Sequence, residues 1–251
     1  MLSRQKWLVV FKRELLRTVK GWEFLFFLVM LVISLIPASI GVTAGMKRLF
    51  ERDLPWEQLR PSLEWGLGFT AYLLGSLTIF LFPVIYGFGS LVQREKARRI
   101  PESLLATPVK AWELWLGKSL AAFLPGFVAG EILGGESLLF INTLFIVPAT
   151  GRFFLPLPLA LGVLLAVPLL GLSFVLVIMA LGLILSRPEA ALGISALLFQ
   201  GLVHLFARFG SFCDWKFVWI HVGLAAMFGL SLPFLCRFLT PERVVLSSRG
   251  G

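Results

Sequence analysis

From residue 153 to residue 186 the chain runs for 34 positions without a charged side chain. A helix rises 1.5 Å per residue and the hydrocarbon core of a bilayer is about 30 Å thick, so about 20 apolar residues cross it. A stretch this long and oily is expected to cross, with part of its length left over as loop. Uncharged runs recur at 24–46, 66–92, 190–207 and 217–236, and at 119–151 with only Glu131 and Glu136 as interruptions. The expectation is an all-α polytopic membrane protein with six transmembrane helices, at about 24–44, 66–92, 117–146, 157–186, 190–208 and 217–238. All six belong to a single transmembrane domain over 1–251. Composition agrees, with 58% hydrophobic and only 15% charged residues, against roughly 25% charged in a soluble domain.

Six spans put both termini on one side, and lysine and arginine indicate which. Cytoplasmic segments retain these residues. With the N-terminus inside, 16 of the 23 fall on inner segments and 7 on outer ones. Both termini are therefore expected in the cytoplasm, in an inner or plasma membrane. The net charge of +9 is dispersed over several loops, which suits anionic headgroups and argues against a nucleic-acid surface. The apolar run after residue 23 is longer than the 7–15 residues of a signal-peptide core, so it is expected to be a span. Cys213 and Cys236 fall on opposite sides of the membrane in this topology and are not expected to pair.

Residues 2–22 read as an amphipathic helix lying in the membrane surface. At 100° per residue Leu8, Phe11, Leu15, Val19 and Trp22 share one face, while Lys6, Arg13, Arg17 and Lys20 share the other. The outer loop 47–65 is expected to be broken into short pieces by Pro55 and Pro61, with its tryptophans at the interface. The chain holds no internal repeat, and its C-terminal tail is too short to be a domain.

Chemistry-bearing motifs are sparse. Gly117, Lys118 and Ser119 copy the tail of a phosphate-binding loop, G-x-x-x-x-G-K-[ST], but its first glycine is replaced by Trp112 and no strand precedes it. Lys118 is read instead as the inner end of the third span. His204 and His221 lack neighbours at ligand spacing, so no metal site is expected. Neither a G-x-S-x-G elbow nor an H-E-x-x-H pair is present.

Glu131 lies roughly 18 Å along the helix from Ser119, near the bilayer midplane. There a charge costs about 2.5–3.5 kcal/mol on insertion scales. It borders the steps Gly126, Gly130 and Gly134, which permit close helix approach. Two readings stay open: a hydrogen-bond partner between helices, which is preferred because no intramembrane Lys or Arg faces it, or a substrate or proton site.

The densest charge sits between the second and third spans, in residues 93–113. Ile100, Leu104, Leu105 and Trp112 recur there among charges, Pro101 fits a first helical turn, and Pro108 ends the helix and pushes Thr107 to extended geometry. A folded amphipathic segment on the inner face, in a chain with no soluble domain, points to docking of a separate protein.

This segment resembles one in the membrane subunits of ATP-binding-cassette exporters of the type-2 permease class. Their pattern after the second span is similar to E-K-E-x-G-T-L-E-x-L-L-x-T-P-V-x-x-x-E-L-x-x-G-K. Glu95, Lys96, Glu102, Leu104, Leu105, Thr107, Pro108, Val109, Glu113, Leu114, Gly117 and Lys118 match it, while Arg99, Ile100 and Pro101 stand in the region of the usual Gly-Thr. The N-terminal "FKRELLRTVKGWEFLF" and the turn "LILSRPEAALG" look like the family's interfacial helix and its fourth-to-fifth turn.

The resemblance implies a permease that exports a hydrophobic or amphipathic substrate. Two ABC ATPase subunits carrying ATP and Mg would bind below, and a second permease subunit, identical or homologous, would sit alongside. It also implies that Glu95, Glu102, Leu104, Leu105, Thr107 and Pro108 form the ATPase-coupling helix. No catalytic group or cofactor is expected in this chain itself. The alternatives are a membrane scaffold or assembly protein, and a proton- or ion-coupled carrier built around Glu131.

Overall fold

The computed structural model describes residues 6–22, 24–27, 55–98, 100–187 and 211–249, with scattered positions between 29 and 50 and between 190 and 201. The spans expected at 24–44 and 190–208 lie largely outside the described residues. Every regular element described is helical. Among the described residues, four helices are long and apolar enough to cross a membrane: Trp56–Gly87, Ala111–Thr150, Leu157–Ile184 and Trp215–Cys236. They coincide with the second, third, fourth and sixth of the expected spans.

The chain enters with α1 (Lys6–Lys20). Next come α2 (Trp56–Phe82) and its π-helical continuation π1 (Pro83–Gln93). Two short helices follow, α3 (Arg94–Ala97) and α4 (Ile100–Leu105). The longest element, α5 (Ala111–Ile141), continues through a π-turn, Asn142–Ile146, into α6 (Val147–Thr150). The chain reverses at Gly151, whose φ of 68° is the left-handed geometry glycine adopts without steric cost. It returns through α7 (Leu157–Leu161), the π-turn Gly162–Ala166 and α8 (Val167–Ile184). Finally α9 (Trp215–Cys236) leads to the short α10 (Pro241–Arg249).

One expectation is corrected. Residues 55–65 do not form broken loop pieces: α2 starts at Trp56 and runs through Pro61. Pro61 is the sixth residue of the helix and removes the backbone bond to the Glu57 carbonyl, yet the helix continues through it. The charges there are tolerated because Arg60 Nε bonds Glu64 Oε1 at 2.8 Å, one turn along.

Helix α1 packs on the bundle through Val10, Glu14 and Thr18. Of the apolar face read from periodicity, Leu8, Phe11 and Leu15 are half-buried and Val19 and Trp22 are exposed. The helix has a specific seat on α5, where a Cβ on Gly117 would lie only 2.9 Å from both the Trp7 carbonyl and the Val10 side chain.

The core forms where α2 meets α5, along the glycine steps singled out from sequence. A Cβ on Gly130 would sit 2.8 Å from the Gly75 carbonyl oxygen, and one on Gly134 would sit 3.5 Å from that of Ala71. Phe80, Phe174 and Leu170 close the centre against α8. At the end of the bundle away from α1, buried Asn142 fixes the reversal. Its Nδ2 donates to Leu138 O at 2.9 Å, and its Oδ1 accepts from the Phe154 N–H at 2.7 Å.

Cys213 lies at this same end, its thiol 3.9 Å from the Glu64 carbonyl. Burial, seconded by Glu64 and opposed by Arg60, pushes that thiol up to about 12. Only the thiolate is nucleophilic. At pH 8 alkylation of Cys213 by iodoacetamide, measured in a Cys236→Ser chain, should therefore run on the order of 10³-fold slower than that of a free thiol near pKa 8.5. It should keep rising about tenfold per pH unit through pH 10. A rate equal to that of a free thiol would contradict the burial.

Candidate coupling site

The segment 93–113 lies at the α1 end of the bundle and is folded onto it at several points. Four-residue α3 and six-residue α4 are too short to hold themselves, since isolated helices under a dozen residues are marginal in water. Their geometry must come from tertiary ties. Lys96 Nζ donates to Leu185 O at 2.7 Å, tying the segment to the end of α8. Lys6 Nζ donates to Pro108 O at 2.7 Å, tying its turn to the start of α1. Lys110 N–H donates to Glu113 Oε2 at 2.9 Å, which caps the start of α5. Trp115 Nε1 donates to Leu176 O at 2.9 Å, binding α5 to α8. From the other side α10 packs on α4 and α8, and Ser247 Oγ donates to Leu183 O at 2.8 Å.

The strongest tie is a buried ion cluster. Glu95 is 1% exposed and Lys118 is 0% exposed. One Glu95 oxygen accepts from Arg17 of α1, and the other accepts from Lys118 at the foot of α5. Lys118 Nζ also reaches Leu91 O, at 3.3 Å, in the last turn of π1. Glu14 completes the group at 3.8 Å from Lys118 and 3.7 Å from Arg17. Glu14 Oε2 makes no hydrogen bond among the described residues, so Glu14 is the looser carboxylate and Glu95 the tight one. The cluster carries two acids and two bases and is formally neutral. Burial alone would draw the Arg17 guanidinium down, but Glu95 and then Glu14 outweigh it and the net shift is upward.

The residues expected to couple to a partner divide accordingly. Glu95 faces inward, with both oxygens occupied. Glu102 lies in α4, and its side chain is outside the described part of the structure. Leu104 and Leu105 are half-buried, and Leu105 packs on the core. Thr107 and Pro108 are exposed on the turn that follows, where Thr107 N–H bonds Leu104 O at 3.1 Å. The helix thus ends at Leu105, before Pro108 is reached, because Thr107 and its neighbours already turn.

Beside this turn lies an open groove of about 410 Å³. Thr107, Pro108, Lys110 and Trp112 form one wall, and Leu239 and Pro241 form the other. Trp112 is 44% exposed there.

Sequence reading identified Lys118 as the inner end of a span and Glu95 as a docking residue, but did not join them to Glu14 and Arg17. A signal was present: Glu14 is the only acid in an otherwise basic helix, and Lys118 opens an apolar run.

Elsewhere, Glu131 stands half-buried beside the glycine steps, and its Oε1 is buried without a hydrogen-bond partner among the described residues. His221 is fully buried, its Nδ1 2.8 Å from Phe217 O, with its ring against Tyr72. His204 lies outside the described residues. Cys213 and Cys236 sit at opposite ends of α9, about 33 Å of helix apart.

Fold and site together define an all-helical membrane protein with a folded polar segment anchored at one end of its bundle. Compared with protein-family models, with curated proteins and with solved structures, the chain finds no match.

Proposed function

We propose that this chain is the membrane subunit of an ATP-driven exporter of the type-2 ATP-binding-cassette class. In this reading it spans the membrane six times with both termini in the cytoplasm. A second permease subunit, identical or homologous, stands beside it, and two separate ATPase subunits hold ATP and Mg. The cargo is hydrophobic or amphipathic.

The observation that supports the reading is the built segment 93–113. It is tied to α1, α5 and α8, yet it presents an exposed turn at Thr107–Pro108 and a groove beside it. A surface so firmly held, in a bundle of apolar helices, suits a lever worked by another protein.

Affinity purification of the full chain from its own membranes in mild detergent is expected to retain an ATPase. Replacing residues 100–105 by a Gly/Ser linker is expected to cut that retention at least about tenfold, the equivalent of 1.4 kcal/mol. Unchanged retention would remove α4 from the docking surface.

One observation favours a second reading, a proton- or ion-coupled carrier: the buried Oε1 of Glu131, which has no hydrogen-bond partner among the described residues. Intramembrane acids mark such pathways. Under that reading Glu131→Gln abolishes transport. Under the exporter reading it has less effect than loss of α4.

A further inference from the structure

We propose that Lys118 is a positioning residue that makes α1, the segment 93–113 and the foot of α5 move as one body. The proposal rests on reading that segment as the lever for a partner, and it says how a pull on the lever reaches the spans.

The argument starts from the covalent route. Between the end of π1 at Gln93 and the start of α5 at Ala111 the chain has only the short helices α3 and α4. Neither transmits force along its axis the way a long helix would, so displacement of the Thr107–Pro108 turn would be absorbed by the joints between them. A second route bypasses those joints: Lys6 Nζ holds the turn to α1 at Pro108 O, and Lys118 fastens α1 to α3 and α5. Its ammonium holds the last turn of π1 through Leu91 O, the first turn of α3 through Glu95, and lies within ion-pair range of Glu14 on α1. Glu95 uses its second oxygen for Arg17 of α1, so one carboxylate bridges α1 and α5. The helix α1, the π1–α3 junction and α5, far apart in sequence, thus share a charge-balanced knot that only the Arg17 side chain opens to water.

Such a knot opens only with difficulty, because parting it strands a charge away from water. It is stiffer than an apolar contact of equal area, which slides without stranding anything. This difference separates a positioning role from plain packing. Apolar side chains of similar volume replace a buried ion pair with little loss of stability, but they do not fix a register between helices.

The test compares Lys118→Met with Lys118→Met/Glu95→Leu in the full chain. Three quantities are read: the unfolding midpoint in detergent, the tryptic cleavage rate at exposed Arg98 and Lys110, and stimulation of the co-purified ATPase. Lys118→Met is expected to lose on all three. The double variant is expected to regain the midpoint yet keep cleavage at least about tenfold faster than the parent, since its segment opens locally, and to leave the ATPase unstimulated.

Full recovery of all three by the double variant would overturn the proposal, as would cleavage in Lys118→Met at the parental rate. If the parent chain retains no ATPase, the exporter reading fails. The cleavage comparison then still decides whether Lys118 anchors the segment.

Discussion

Glu95→Leu is expected to destabilise the protein by about 3–5 kcal/mol, the cost of removing one partner from a buried ion pair. The cluster dictates the sign. With Glu95 gone, Lys118, at 0% exposure, keeps only Glu14 at 3.8 Å and the Leu91 carbonyl at 3.3 Å. Arg17 competes for the same Glu14 carboxylate from 3.7 Å. Two cations then share one acid, and only Arg17 has an exposed side chain through which to reach water. Adding Lys118→Met is expected to recover most of the loss, since Glu14 and Arg17 remain as a neutral pair. The measurement is the unfolding midpoint in mixed micelles titrated with a denaturing detergent. A loss under about 1 kcal/mol, the scale of surface pairs, would mean that water reaches the cluster.

Gly130→Val is expected to cost about 1–3 kcal/mol or more by overpacking. A Cβ at this position would approach the Ile79 side chain to 2.5 Å and the Gly75 backbone oxygen to 2.8 Å. A side chain could rotate aside; the carbonyl cannot without moving α2. The two helices would have to part along the seam on which the core is built. Gly223→Ala supplies the control: a Cβ there meets nothing within 4 Å, so stability should hold or rise by up to about 1 kcal/mol, as helix propensity gives. Equal effects at the two sites would mean that the α2–α5 seam is looser than described.

The spans were legible because absence of charge is a property of the linear sequence. The runs at 66–92, 119–151, 153–186 and 217–236 needed no partner to be recognised, and helices of the expected kind lie there. The glycine steps were legible for a related reason: a stripe of small residues is a local pattern, though the identity of Gly75 and Ala71 as its counterpart is not.

Boundaries were less legible. The segment 55–65 reads as loop by its charges and prolines, while α2 includes it despite Pro61, with Arg60 and Glu64 paired one turn apart. The packing face of α1 was hidden more deeply. Periodicity ranks faces by hydrophobicity, and α1 turns an acid inward because Lys118, distant in sequence, waits there beside Arg17 of the same helix. Glu14, Arg17, Glu95 and Lys118 each look like ordinary interface charges until the fold brings them together.

The placing of α10 bears on assembly during synthesis. One wall of the groove beside the Thr107–Pro108 turn comes from Leu239 and Pro241, and α10 then packs on α4. A ribosome makes these residues only after the fourth candidate span, so α4 waits, half-supported, while the rest of the bundle inserts. A partner that recognises both walls would ignore nascent or prematurely terminated chains and engage only those whose insertion has reached α9.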